Sequence, residues 1–250
     1  MCARYTLRRA QLARAIFEAL RAPSFEEFSE RPHYNLAPSQ RLPIVRINGK
    51  GERVLEAFQW GFVPRWAKAM PKVRPVNARA ETLATSGLFR DALSRRRCLI
   101  PADGFYEWTG SRKSRQPFFL HMKDDGVFAF GGLWDRWYTL PAEHSGAPGA
   151  NESDAGSLDT FTIITTAPNS VARTVHDRMP FIVHRHDYAQ WLDAHSDRDS
   201  IAGLLQPFPS EDMEAFAVST RVNSVTNDAP DLIERGQPTA PAPAQGILFT

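Results

Sequence analysis

Cysteine is scarce in this sequence, which has two among its 250 residues, at positions 2 and 98. Two cysteines so far apart argue against the disulfide framework of a small secreted protein, so both thiols are expected to be reduced. Long apolar runs are lacking as well: no stretch approaches the ~18 residues of a membrane span, and the first residues have no secretory apolar region. We therefore predict a cytoplasmic protein with no membrane association.

A strong charge of either sign is also missing. Lys and Arg number 30 against 28 Asp and Glu, and the formal net charge of +2 by itself indicates no polyanionic partner. Basic residues do cluster at 95–97 and 112–115, although such runs usually form a solvated face. The seven histidines and two cysteines lack the spacing of metal ligands, so no metal and no cofactor are predicted. Cys98, inside an arginine-rich and apolar run, is predicted to be a buried core thiol.

Strand signals outnumber helical ones. Apolar spacing predicts helices at 7–20, 81–93 and 187–194, the last with Asp187 as N-cap. β-rich runs predict strands at 42–47, 54–62, 97–100, 104–108, 117–122, 127–134, 161–165 and 179–183. The Asn-Gly pair at 48–49 and the Asp-Gly pair at 125–126 are typical of hairpin turns. The pattern predicts an α+β fold: a single compact domain around an antiparallel sheet or irregular β-barrel, with peripheral helices.

Two stretches lack apolar periodicity. Residues 141–159 are rich in Ala, Gly, Ser and acidic residues, which is typical of a flexible surface insertion. The tail from about 237 is rich in Pro and Ala and is predicted to be extended. Apolar strand-like sequence resumes at Phe161, so we interpret residues 1–250 as one domain rather than two.

Cys2 directly follows the initiator Met1. Removal of Met1 would leave a thiol and an α-amine on adjacent carbons, with unperturbed pKa values of about 8.5 and about 7.7–8.0. Such a 1,2-aminothiol condenses with an aldehyde, first through the amine as a Schiff base and then through sulfur as a five-membered thiazolidine. The same pair could attack an amide, with the amine as base. Cys2 could equally be an incidental residue near a poorly ordered end.

Three further segments carry polar groups suited to chemistry. Asn77 and Arg79 lie two residues apart in an extended approach to a helix, which points them to the same side, although they could simply form a helix-capping network. Glu107 lies among aromatic residues, where burial would raise its pKa and suit it to proton transfer, unless it faces water. His176 precedes Asp177 and Arg178 and is an acid or base near pH 7, although a lone histidine is more often a loop residue.

Aromatic residues alternate with cations at 60–68. Aromatic rings stack on unpaired bases and cations hold the backbone in single-strand binding sites, whereas core aromatics in a turn are the alternative interpretation.

Taken together, the motifs are far more specific than any one of them. They occur in the order CARY, YNLAP, WGFVPRW, NARAET, RRRCLIPADGFYEW, GGLWDRW, TIITTAPN, HDRMP and RVN. In this order the chain resembles the SOS-response-associated peptidase family, also described as abasic-site processing proteins, from Cys2 to about Glu234. It departs from the family at Ala3, where members usually have Gly, and in the longer 141–159 insertion.

The resemblance implies a function and a set of site residues. Family members bind single-stranded DNA and trap the ring-opened aldehyde of an abasic deoxyribose as a thiazolidine, which here would form on Cys2. Asn77 would position the cysteine and the sugar, Glu107 would promote ring opening and proton transfer, and His176 would lie near the phosphate 3′ of the lesion. The DNA-binding residues implied are Arg4, Arg79 and Arg178 for phosphates, Pro38 and Trp66 for flanking bases, and Thr165 and Thr166.

The partners that follow are single-stranded DNA containing abasic sites and, as further candidates, replication-fork proteins. The protein would act as a monomer in DNA damage repair, nucleoid-associated when bound to DNA, with a lyase-like activity. Two alternatives stay open: an N-terminal-cysteine amidohydrolase or autoprocessing protease, and a noncatalytic single-strand DNA binder. The sequence specifies no oxyanion site for the first. The second leaves Cys2, Asn77, Glu107 and His176 without a role.

Overall fold

Strands dominate the structure, and its α-helices are short. The computed structural model describes residues 2–9, 17, 20–21, 31–110, 115–138 and 156–236. The strands in these residues are β1 (Tyr5–Leu7), β2 (Leu20–Arg21), β3 (His33–Leu36), β4 (Arg41–Ile47), β5 (Arg53–Trp60), β6 (Asn77–Arg79), β7 (Arg97–Ala102), β8 (Gly104–Thr109), β9 (Gln116–Met122), β10 (Phe128–Tyr138), β11 (Ser157–Thr166), β12 (Met179–Pro180), β13 (Ile182–Val183) and β14 (Met213–Ala217). The α-helices whose bounds fall within the described residues are α1 (Arg90–Arg95), α2 (Ser170–Arg173), α3 (Tyr188–Leu192) and α4 (Arg198–Leu204). The predicted α+β class is confirmed.

The strands form two sheets. The smaller sheet has the order β14-β9-β8-β1-β3, and all its neighbours are antiparallel. The larger sheet has the order β12-β11-β10-β7-β4-β5-β2. Strand β11 also pairs in parallel with β5 and with β6. Because β11 and β5 stand near opposite ends of the larger sheet's order, this sheet curls strongly.

Aromatic side chains fill the space between the sheets. The ring of Tyr5 on β1 lies 5.5 Å from that of Trp60 on β5 and 5.7 Å from that of Phe130 on β10. Phe105 on β8 also contacts Phe130, at 5.9 Å. All four rings are buried. Burying each ring contributes roughly 1.5–3 kcal/mol, so this cluster anchors the start of the chain in the core.

A buried carboxylate fixes the other end of β1. Asp103 accepts hydrogen bonds from the Thr6 hydroxyl at 2.6 Å and from the Arg8 backbone N–H at 2.6 Å. The Arg8 guanidinium adds a charged hydrogen bond at 3.0 Å. With β8 on one side and β3 on the other, β1 is held on both edges, so the residues that precede it have a defined position.

Most predicted strands are confirmed. Those at 42–47, 54–62, 97–100, 104–108, 117–122, 127–134 and 161–165 correspond to β4, β5, β7, β8, β9, β10 and β11. The strand predicted at 179–183 is divided, because the chain changes partner at Phe181. Its N–H donates to Ile164 of β11 and its carbonyl accepts from Gly131 of β10.

The predicted helices are shorter than expected. The helix at 81–93 is wrong as a continuous element: Ala80–Thr82 is a 3₁₀ turn, and α1 begins only at Arg90, beyond the exposed Gly87. Asp187 stands at the N-cap of α3, but its side chain makes no capping hydrogen bond. The helix at 7–20 is wrong at both ends, which belong to β1 and β2. Between them, from 10 to 19, Phe17 alone is described, and it is helical.

One of the two predicted hairpins is present. Asn48 turns the chain between β4 and β5, with its side-chain oxygen accepting from the N–H groups of Lys50 at 2.9 Å and Glu52 at 3.0 Å. Asp125-Gly126 is not a hairpin turn, because it joins β9 of the smaller sheet to β10 of the larger one.

The predicted insertion at 141–159 lies largely outside the described residues. Its last residues are the start of β11, where Ser157 pairs with Tyr138 and Asp159 with Arg136. The tail from 237 also lies outside the described residues. No helix in the described part of the chain is long and apolar enough to span a membrane.

Candidate active site around Cys2

Cys2 lies three residues before the start of β1 and has no exposed surface (0%). Its thiol donates to the backbone carbonyl of Arg4, with the sulfur 3.8 Å from the oxygen. Burial raises the pKa of the thiol, and the negative charge of Glu107 raises it further. The resting thiol is therefore protonated at neutral pH, and a base must remove its proton before the sulfur can act as a strong nucleophile.

Asn77 binds the backbone of the cysteine. Its side-chain N–H donates to the Cys2 carbonyl at 2.7 Å. Strand β6 holds Asn77 in place, because it pairs with β11 at Ile163. The side-chain oxygen of Asn77 is buried and has no hydrogen-bond partner among the described residues. Buried acceptors are normally satisfied, so this oxygen is available to a substrate hydroxyl.

Glu107 supplies a carboxyl group near the thiol. Strand β8 pairs with β1, with Phe105 opposite Tyr5 and the Tyr106 N–H donating to Arg4. Glu107 is 2% exposed. Burial raises its pKa to about 7, although the positive charge of the chain's N-terminus acts in the opposite direction. Near neutral pH the group is therefore present in both protonation states, as a proton carrier requires.

His176 follows α2, whose first turn is capped by the Asn169 side chain accepting from Ala172 at 2.8 Å. The imidazole Nδ1 has two polar neighbours: the Arg178 N–H at 3.0 Å and the Asp177 carboxylate at 2.8 Å. A neutral Nδ1 accepts from Arg178, whereas a protonated one donates to Asp177. Burial lowers the pKa of His176, which favours the neutral, accepting form at pH 7.

These four predicted catalytic residues come together from separate segments. A hydrogen bond joins Asn77 to Cys2, and an electrostatic interaction joins Cys2 to Glu107. The negative charge of Asp177, which contacts His176, also raises the pKa of Glu107. A thiol, a carboxyl group, an amide and an imidazole thus share one site.

The three predicted phosphate ligands differ in their surroundings. The Arg4 Nε is buried with no hydrogen-bond partner among the described residues, and burial lowers the pKa of this guanidinium. Arg79 is exposed, and no side-chain hydrogen bond or salt bridge joins it to a described residue. Arg178 is already bound by Glu81. Unlike Arg178, Arg4 and Arg79 therefore have no carboxylate partner among the described residues.

The remaining predicted DNA contacts are mixed. Thr165 and Thr166 are buried, and the Thr166 hydroxyl donates to the carbonyl of Ala167 at 3.0 Å. Pro38 is half-buried beyond the end of β3, whereas Trp66 is 62% exposed. The two threonines are therefore buried residues next to the site, whereas Trp66 is accessible to a binding partner.

Trp66 belongs to a longer and largely exposed stretch, residues 64–75, which we call the basic apolar segment. It has the sequence PRWAKAMPKVRP, with four cations and no acidic residue. Besides Trp66, it exposes Met70 (47%) and Val73 (77%). Arg65 anchors one end through Asp135 at 2.9 Å, and Arg74 anchors the other through Gln59 at 3.1 Å.

Two residues near the site were given no role from sequence. Tyr5 is buried, and its hydroxyl has no hydrogen-bond partner among the described residues. The negative charge of Cys2 contributes to the raised pKa of this hydroxyl, after burial itself. Glu81 lies in the NARAET motif, but nothing in the local sequence indicates that it pairs with Arg178, 97 residues away. Within the described residues, no group of three or more His, Cys, Asp or Glu is arranged to hold a metal.

Fold and site define an α+β protein built around a buried cysteine close to its N-terminus. The family described as SOS response associated peptidase (SRAP) matches residues 1–225. The chain belongs to this family, which confirms the resemblance inferred from the motifs.

Curated relatives span almost the whole chain. Abasic site processing protein YoqW of Bacillus subtilis (strain 168) is 39% identical over 239 residues, covering 94% of this chain and 99% of the relative. Abasic site processing protein HMCES of Gallus gallus is 29% identical over 243 residues, covering 83% of this chain and 68% of the relative. A crystal structure of a protein from Bacteroides thetaiotaomicron superposes with a TM-score of 0.79 at 24% identity, over 94% of this chain and 100% of that one. The last match shows the shared fold alone.

Proposed function

We propose that this protein captures abasic sites in single-stranded DNA by forming a thiazolidine between Cys2 and the ring-opened deoxyribose, which shields the lesion. The names of its relatives support abasic-site processing. One arrangement carries the finer proposal: the backbone of Cys2 is held by Asn77 beside a carboxyl group with a pKa of about 7.

The reaction balances without an oxidant or a reductant. Removal of Met1 frees the α-amine of Cys2, which attacks C1′ of the aldehyde; loss of water then gives a Schiff base. The thiol adds across the C=N bond, so that sulfur bonds to C1′ and nitrogen gains a proton. Water is the only product released. The Schiff base is also an intermediate from which strand cleavage by elimination can start, which accounts for a lyase-like activity.

Each neighbouring residue has a task in this sequence of steps. Glu107 in its carboxylate form takes the thiol proton, which burial otherwise holds on sulfur, and in its acid form assists opening of the sugar ring. Asn77 orients Cys2 and offers its unpartnered oxygen to the sugar. His176, neutral at pH 7, accepts a proton on the phosphate side of the lesion.

The DNA strand crosses the site between cations and aromatic surface. Arg4 and Arg79, which have no carboxylate partner among the described residues, bind phosphates. Trp66 stacks on a base that flanks the lesion, and Pro38 packs against another. The absence of acidic residues from the basic apolar segment favours a polyanionic partner.

The test is adduct formation with single-stranded DNA that carries one abasic site. We expect untagged protein to give an adduct that survives denaturation, whereas Cys2→Ala or an uncleaved N-terminal tag abolishes it and leaves noncovalent binding intact. Cys2→Ser keeps the amine, so it should form a transient Schiff base without the persistent sulfur ring. The matched control is Cys98→Ala, which removes the other buried thiol and should leave the adduct unchanged.

Two outcomes would overturn the proposal. An undiminished adduct from the tagged protein would show that the terminal aminothiol is not the reagent. Robust peptide hydrolysis by wild-type protein that ignores abasic DNA would favour the amidohydrolase alternative.

A further inference from the structure

Arg178 has a carboxylate partner in this structure. Its two terminal nitrogens meet the two oxygens of Glu81 at 2.6 and 2.9 Å. A second hydrogen bond from Nη2 reaches the Thr165 carbonyl at 2.6 Å. The Arg178 side chain is 14% exposed and that of Glu81 is 53% exposed. Paired, parallel hydrogen bonds of this kind fix the orientation of both planar groups.

The ion pair connects the two halves of the candidate site. Glu81 lies in the 3₁₀ turn directly after β6, the strand that carries Asn77. Arg178 lies two residues after His176, and its own backbone N–H donates to the imidazole of that histidine at 3.0 Å. The position of Arg178 therefore helps to fix the orientation of the His176 ring.

We infer that Glu81 is a positioning residue: through Arg178 it holds the segment that carries His176 against the segment that carries Asn77. This inference rests on the proposed function of the site. Within the described residues, the side-chain hydrogen bonds and the ion pair of Glu81 are made with Arg178, so it acts through Arg178. Two of the four N–H bonds on the terminal nitrogens are held by Glu81 and a third by Thr165, so the guanidinium stays in place when a phosphate arrives.

A competing role for Glu81, as a blocker of Arg178, predicts a different effect on DNA binding when Glu81 is neutralised. A carboxylate on the forked edge of an arginine occupies the place that a phosphate would take. If Glu81 merely blocked Arg178, neutralising it would tighten DNA binding. If it positions Arg178, neutralising it slows the covalent step and leaves binding nearly unchanged.

The test is Glu81→Gln, which keeps the size of the side chain and removes its charge. At saturating abasic single-stranded DNA we expect single-turnover adduct formation to slow by roughly 10- to 100-fold, the usual effect of a small misplacement of reacting groups. The half-saturating DNA concentration should stay nearly constant. Glu81→Asp keeps the charge and should recover part of the rate. Asp159→Asn is the matched control, because it breaks a similar paired contact, with Arg136 at 2.6 and 2.8 Å, away from the site.

A second readout does not depend on the reaction. Histidine NMR should show a shift of the His176 ring resonances in Glu81→Gln and none in Asp159→Asn. Wild-type rate and unshifted His176 signals in Glu81→Gln would overturn the inference, and so would tighter DNA binding at an unchanged rate. A wild-type protein that forms no adduct would instead refute the proposed function, and the NMR comparison would still decide whether Glu81 positions His176.

Discussion

Glu107 is the group in the site whose charge changes closest to neutral pH. Burial brings its pKa to about 7, so its carboxylate form grows as the pH rises through that value. The proposed reaction needs the carboxylate to take the thiol proton. Where transfer of the thiol proton limits the rate, adduct formation should therefore become faster as the pH rises through about 7 in the wild-type protein.

Glu107→Gln removes this titration and keeps the shape of the side chain. At saturating DNA we expect single-turnover adduct formation to fall by about 100-fold or more, within the range of general acid–base effects, and the inflection near neutrality to disappear. Binding measured in a Cys2→Ala background should be the same with and without the substitution. A pH profile that superimposes on that of the wild-type protein would remove Glu107 from the mechanism.

Individual residues differ in how far the sequence identified them. Cys2 was a candidate because it directly follows Met1, but its position alone did not separate a reactive aminothiol from an incidental residue. Asn77, Glu107 and His176 were each ambiguous locally, and only the order of the motifs assigned them roles. Glu81 and Tyr5 were missed because their significance depends on partners distant in sequence, Arg178 for one and the two-sheet core for the other.

The basic apolar segment is expected to contribute to the binding of single-stranded DNA. Its ends are tied down by Arg65 and Arg74, so it presents exposed apolar and basic side chains from a fixed backbone. Trp66→Ala should weaken single-strand binding by about 1–3 kcal/mol through lost stacking. Lys68→Ala with Lys72→Ala should flatten the dependence of log K on log salt by roughly 1.4, about 0.7 for each phosphate neutralised.

The measurement is a salt titration of binding to lesion-free single-stranded DNA. Lys50→Ala is the control, because Lys50 lies in the turn at the far end of the β4–β5 hairpin. Salt slopes that change equally in both variants would show a nonspecific loss of charge and would contradict a role for the segment.

Prediction of elements from sequence succeeded where local signals suffice. Strand β11 was found from its β-branched run, and the Asn48 turn from its dipeptide. Asp125-Gly126 carries a similar signal, yet its flanking strands join different sheets, and pairing across the fold cannot be inferred from a turn. Strands β6 and β14 were missed because they are only 3 and 5 residues long, and β6 depends on β11 for its partner.

The stability of the whole molecule should depend on pH through Glu107. A carboxyl group whose pKa is raised on folding binds its proton more tightly in the native state, so stability is greatest below the unfolded pKa and falls as the pH rises through about 7. The shift from 4.5 to about 7 corresponds to a loss of at most ~3 kcal/mol. Denaturant unfolding should therefore find Glu107→Gln more stable than the wild-type protein at pH 8, with the difference shrinking towards pH 5. A stability difference between the two proteins that stays constant from pH 5 to pH 8 would contradict this prediction.

The two-sheet architecture gives the start of the chain a defined position, which the proposed function requires of a terminal reagent. Strand β1 is held on both edges, and Tyr5 reaches the core between the sheets. This rigid frame, and not the intrinsic reactivity of the cysteine, brings the terminus beside groups from β6, β8 and the segment after α2. The arrangement of the site cannot be predicted from the composition of the chain, because the arrangement depends on contacts between segments about 75 to 175 residues apart.

The complete burial of the Cys2 sulfur has a consequence for chemical selectivity. A free aminothiol in solution would be consumed by any sugar, metabolite or oxidant that carries a suitable electrophile. Here the sulfur has no exposed surface and keeps its proton, so we expect it to react slowly with small electrophiles in solution. Under the proposed function, selectivity then comes from access to the sulfur: the aldehyde that reacts is the one carried on a DNA strand that fits the site.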